Sequence, residues 1–166
     1  ILESGLPRFK SGGYYIRGFP LQYLTAASIK FLGDGYFAYR LPAVLFGTST
    51  VLASYFLGRL YIQRLWSVIL AAMVAFSSWE IELSLFARMY STFQFVAVCF
   101  FWFFYRYSFN MQGNEKYLAV AFSILAVLSH ALGIFITTFI FLPLLTIYNG
   151  SLYKSIVNQK KYLIVC

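Results

Sequence analysis

Long stretches without a single charged side chain decide what this chain can fold into. Leu41 to Gly58, Leu65 to Trp79, Met89 to Tyr105 and Tyr117 to Tyr148 contain no Asp, Glu, Lys or Arg. Runs of roughly 18 or more apolar residues are bilayer spans by length alone. The chain as a whole is 61% hydrophobic, 22% aromatic and 11% charged, where a soluble domain is about a quarter charged. Mean hydropathy is +0.73. These features predict an integral, multi-pass membrane protein. The fold class expected is all-α: a polytopic transmembrane helical bundle with an external loop carrying an interfacial helix.

The pattern divides the 166 residues into three regions of one domain. Residues 1–35 read as an external loop, because Glu3, Arg8, Lys10, Arg17, Lys30 and Asp34 are scattered among glycines and prolines. Within it, Pro20 to about Leu32 reads as a modestly amphipathic helix on the interface, with Pro in its first turn. Gly33-Asp34-Gly35 breaks it. Residues 36–149 hold about five transmembrane helices by their apolar lengths. They run from about Tyr36 to Leu57, Leu65 to Ser78 and Phe86 to Tyr105, then through the long run 117–148. As one helix that run would be roughly 48 Å long, too long for a ~30 Å core. A break at Ser129-His130-Ala131-Leu132-Gly133 is predicted there. Residues 150–166 read as a cytoplasmic segment leading to a further span. The ends of the sequence predict a fragment of a longer protein, truncated on both sides.

Net charge is +8. The cations sit between apolar spans, so anionic headgroups and topology explain them and nucleic acid is not an expected partner. Arg59, Arg64, Arg106, Lys116, Lys154, Lys160 and Lys161 are expected on the cytoplasmic side. Residues 1–35, the Glu80–Arg88 turn and His130 then face outside. Cys99 and Cys166 form no metal or redox motif. No phosphate-binding loop, serine-hydrolase elbow or zinc-protease motif is present. The aromatic run Phe100 to Tyr105 reads as a lipid-facing or interfacial helix end.

Several residues on the outer side can carry chemistry. Glu80 and Glu82 would converge on a divalent metal ion if the backbone there is extended; hard cations prefer carboxylate oxygens. The plainer reading is a solvated turn with two ordinary acids. Arg88, at the start of a span, suits bidentate phosphate binding or an ion pair with either acid, against the plainer alternative of a snorkelling anchor. His130, the chain's one histidine, is a candidate phosphate contact or metal ligand. A packing role is the commoner use of a lone histidine in an apolar run. Arg17 with Tyr14 and Tyr15 can hold a phosphate by charge and a sugar by stacking, or bind lipid headgroups. Arg40, in Arg40-Leu41-Pro42, either faces a lipid phosphate or anchors its helix.

Certain segments, taken in order, carry a family likeness. They are Glu3-Ser4-Gly5-Leu6-Pro7, Tyr15 to Leu21, Gly33 with Ala38 to Ala43, Ala87-Arg88-Met89-Tyr90 and Leu128 to Gly133. The chain resembles the membrane-embedded GT-C glycosyltransferases, nearest the bacterial aminoarabinose transferases and the protein O-mannosyltransferases, over most of its length. The resemblance implies an inverting transfer of a sugar from a polyprenyl-phosphate donor to an acceptor protein, lipid or glycan on the outer face. The setting would be a prokaryotic cytoplasmic membrane, or the endoplasmic reticulum membrane in a eukaryote. It implies lipid-phosphate contacts at Arg17, Arg40, Arg88 and His130, sugar contacts at Tyr14 and Tyr15, and a metal at Glu80 and Glu82. The catalytic Asp-Glu pair of the first external loop has no match here and would fall upstream of Ile1, leaving this chain inactive by itself. The alternative is a transporter or flippase subunit, which would line several helices with polar groups rather than gather them at one end.

Overall fold

A computed structural model describes residues 18–86, 88–110 and 114–138, with positions 1 and 5. The described residues are helical, with no strand among them. Six helices follow in order: α1 (Phe19–Leu32), α2 (Tyr36–Gly58), α3 (Arg64–Ala75), α4 (Ser78–Leu85), α5 (Met89–Asn110) and α6 (Glu115–Ser129). A further helical stretch covers 133–138.

The start of α1 is set by Gly18 and Pro20. Gly18 takes φ 71°, a left-handed conformation that glycine adopts without a side-chain clash. Pro20 sits in the first turn, where its missing N–H costs nothing. A Cβ on Gly18 would lie 2.8 Å from Met89 Cβ, so the entry to α1 is pressed against the start of α5.

The central element is α2. Ala43, Gly47, Thr50, Ser54 and Gly58 recur every three or four residues and are all buried. Small residues at this spacing let neighbouring backbones approach closely. Pro42 lies inside this helix, further in than a helix-start reading places it; its ring leaves the Ala38 carbonyl without its usual donor. α2 is the one described helix long and apolar enough to cross a membrane, and the bent pair of α3 and α4 would count as a second if taken together. Their axes meet at 55°.

Ring contacts give the helix directions. Phe46 meets Phe95 at 5.6 Å, Phe56 meets Trp102 at 5.3 Å and Tyr61 meets Tyr105 at 5.3 Å. Numbers rise together, so α2 and α5 are parallel. Phe93 meets His130 at 5.3 Å while Phe103 meets Phe122 at 5.5 Å, so α6 returns antiparallel to α5. Arg40, Arg88 and His130 therefore occupy one end of the bundle. Arg59, Arg106 and Lys116 occupy the other, where Arg106 pairs with Glu115 at 3.2 Å.

The core lies between α5 and α6, around Val96, Phe100, Phe104, Ala119, Ala126 and Ile136. For two of its residues the structure differs from the reading of the aromatic run as a lipid-facing or interfacial helix end. Phe100 is fully buried and Phe104 nearly so. The four-residue step between them puts both rings on the face turned to α6. Thr50 and Ser129 are satisfied by their own helices, donating to the Phe46 carbonyl at 2.8 Å and the Leu125 carbonyl at 2.7 Å, whereas the buried Ser91 and Thr92 hydroxyls have no partner among the described residues.

α6 ends within the sequence-predicted break. A turn follows at 130–132, and the chain folds back on α6 so closely that a Cβ on Gly133 would meet the Ala126 carbonyl carbon and oxygen at 2.3 Å.

Candidate functional site

At the Arg88 end of the bundle, α4, the start of α5 and the turn after α6 enclose a cavity of about 840 Å³. That is the size of a ligand pocket rather than a packing defect. Its walls are mostly apolar: Phe93, Ala97, Val98 and Phe101 from α5, with Leu83 and Phe86 from α4 and its end. Glu82, Arg88, Tyr90, Gln94 and His130 supply the polar groups, and Trp79 stands among the lining side chains.

Each polar group has a local cause. Arg88 follows α4 and immediately precedes α5; its N–H donates to the Phe86 carbonyl at 2.7 Å, a tight turn that separates the two helices. Its side chain is exposed. Among the described residues, the ion pair found is Arg106 with Glu115, and Arg88 makes none with them. His130 caps α6. Its Nδ1 accepts from the Leu132 N–H at 3.1 Å, so in the neutral ring the proton sits on Nε2. Tyr90 and Phe93 pack against the imidazole at 5.6 and 5.3 Å and fix its plane.

Glu80 and Glu82 are held differently from the extended pair that would share a metal. The backbone is helical through both, and residues two apart on a helix point some 200° apart. Glu82 is exposed and lines the cavity, whereas Glu80 is buried and accepts a hydrogen bond from the Gln94 side-chain amide. The pair as a pair does not fit one ion.

The structure thus brings Glu82, Arg88 and His130 to one cavity and puts Glu80 directly behind it. Arg40 lies at the same end but does not line this cavity. Its guanidinium stands over the Tyr36 ring at 5.9 Å. Leu41 and Pro42 line a separate apolar groove of about 370 Å³ with α1. Tyr14, Tyr15 and Arg17 lie outside the described residues. Sequence reasoning missed Gln94, Tyr90 and Trp79. Gln94 carried a usable signal, being a primary amide in the apolar run of α5, where polar groups are expensive and tend to be functional.

No family model, curated protein or solved structure matches this chain.

Proposed function

We propose that this cavity holds the phosphate end of a polyprenyl-phosphate-linked sugar and that the chain belongs to a glycosyltransferase acting at the outer face of a membrane. The observation that carries the reading is the meeting of Arg88 and His130 in one largely apolar cavity. An amphiphilic anion needs that combination. Arg88 offers a fork of donors to two phosphate oxygens, and the His130 Nε2–H adds a third donor. The apolar α5 wall receives the first isoprene units. Trp79 and Tyr90 supply flat faces on which a sugar ring stacks. Inverting attack at the anomeric carbon would transfer the sugar and leave the lipid phosphate on Arg88 and His130. A general base must sit within hydrogen-bond reach of the acceptor hydroxyl; none is assigned among the described residues. No step is assigned to a metal.

In this reading the protein is multi-pass, with α2 and α5 as crossing helices. α3, about 18 Å long at ~1.5 Å per residue, is too short to cross alone and turns into α4 within the outer half. Exposed Leu65, Trp66, Met73 and Phe76 support lipid contact along α3 and its end. The competing transporter or flippase reading expects polar groups along several helices, and buried Thr50, Ser54, Ser67 and Ser123 are of that kind; the meeting of Arg88 and His130 in one cavity is what favours transfer. In the intact enzyme, Arg88→Ala should abolish sugar transfer while the protein still folds and unfolds as the wild type does. Wild-type turnover in that variant would sink the assignment.

A further inference from the structure

α5 lends the cavity Tyr90, Phe93, Gln94, Ala97, Val98 and Phe101. Steps of three and four residues put them on one face of the helix. Phe93, Ala97 and Phe101 are backed by the core between α5 and α6. α4 packs on α2, α3 and α5, while α6 packs on α1 and α5. The stripe therefore floors the space between α4 and α6. From Tyr90 to Phe101 it is about 16 Å long, at ~1.5 Å per residue.

Polarity changes along this floor. Arg88 directly precedes α5, and His130 packs on Tyr90 and Phe93, so both phosphate donors stand at the first turns of the helix. Beyond Gln94 the α5 lining is apolar: Ala97, Val98 and Phe101. With α5 crossing the bilayer, that order matches a lipid, its phosphate at the headgroup level and its chain directed into the hydrocarbon. Ala97 is the smallest residue lining the cavity. It lies about one helix turn beyond Phe93 and about one before Phe101. The room above it is room that a larger side chain would fill. Phe101 meets Phe100 at 5.3 Å and Tyr105 at 6.3 Å, so the far end of the stripe is a supported ring.

We propose that Ala97 sets the room for the lipid tail: the second isoprene unit lies over Ala97 and the third ends against Phe101. An extended isoprene unit is about as long as one helix turn, ~5 Å, so the first unit lies between Phe93 and Ala97. Ala97 is then a specificity-determining residue for tails longer than one unit, and a single-unit tail stops short of it. This rests on the cavity being a phosphate-lipid site, and adds to that reading the direction and depth of the tail.

The experiment uses the full-length protein in lipid nanodiscs, with dimethylallyl phosphate (one isoprene unit) and farnesyl phosphate (three) as probes. Each probe is compared between wild type and Ala97→Phe, so its own partition into the bilayer cancels. Ala97→Phe should bind farnesyl phosphate about tenfold more weakly and dimethylallyl phosphate as wild type does. Undiminished farnesyl phosphate affinity would overturn the proposal, and so would an equal loss for both probes. Should Ala97→Phe fail to fold, the wild type decides. Farnesyl phosphate with a photoreactive diazirine on its terminal isoprene unit should label Val98 or Phe101. Labelling confined to other positions, such as Leu41 or Leu45 in the groove beside α1, would overturn the proposal. Wild-type binding that Arg88→Ala abolishes and Ala97→Phe leaves untouched would strike the tail assignment alone. If wild type binds neither probe, the phosphate-lipid reading fails and the tail assignment falls with it.

Discussion

Gly47 on α2 and Ser84 on α4 touch so closely that a Cβ on the glycine would sit 2.5 Å from Ser84 Cβ. This contact holds α4 against the middle of α2. It thereby places the carboxylate of Glu82 at the cavity and that of Glu80 behind it. Gly47→Val should force the helices apart at a cost of about 1–3 kcal/mol, typical of an overpacked core. Thermal unfolding in detergent reads the stability. Farnesyl phosphate binding should weaken with it, because α4 forms one wall of the cavity. A variant of wild-type stability and affinity would show that α4 does not depend on this contact.

The second close approach is at Gly133. Its neighbours are the backbone atoms of Ala126 and Val127, which cannot swing aside as a side-chain tip can. Gly133→Ala should therefore lift the 133–138 helix from α6, also at about 1–3 kcal/mol. The turn carrying His130 should lose its fixed geometry. Proteolysis near residue 130 and the unfolding midpoint both report this, and the variant should be the more readily cut.

His130→Phe separates packing from donation. A phenyl ring keeps the aromatic contacts with Tyr90 and Phe93 but has no Nε2–H. Unfolding should stay within about 1 kcal/mol of wild type, as for a volume-conserving swap. Affinity for farnesyl phosphate should drop about tenfold, the worth of one hydrogen bond to a charged group. Equal affinity would make His130 a packing residue.

Much of the helix plan was legible because its punctuation is chemical. Pro20 and Gly33-Asp34-Gly35 bracket α1, and Ser129 to Gly133 ends a run too long for one span. What escaped was set by tertiary packing. α4 read as a polar turn because Ser77, Ser78, Glu80 and Glu82 interrupt an apolar run, although Ser77 at the N-cap with Glu80 three residues on is also a helix-start pattern; its place depends on the glycine at position 47 of another helix. The extended Glu80-x-Glu82 pair failed for the same reason. The Phe100 to Tyr105 run gave no clue to its orientation, since its residues are apolar on every face. Arg88 and His130 were legible as expensive groups in apolar surroundings, but only the parallel course of α2 and α5 and the return of α6 bring them together. Arg40 shares their end and not their cavity, because Leu41 and Pro42 turn toward α1.

The central claim is that Arg88 holds a lipid phosphate in the cavity it shares with His130 and Glu82. Equilibrium binding of farnesyl phosphate to the intact protein in nanodiscs tests it most directly. A doubly hydrogen-bonded, charge-assisted contact predicts a loss of tenfold or more in Arg88→Ala, at about 1.5–3 kcal/mol per charged hydrogen bond. Arg88→Lys should recover part of it, and the unfolding midpoint should not move in either variant. Unchanged affinity in a folded Arg88→Ala protein would contradict the claim.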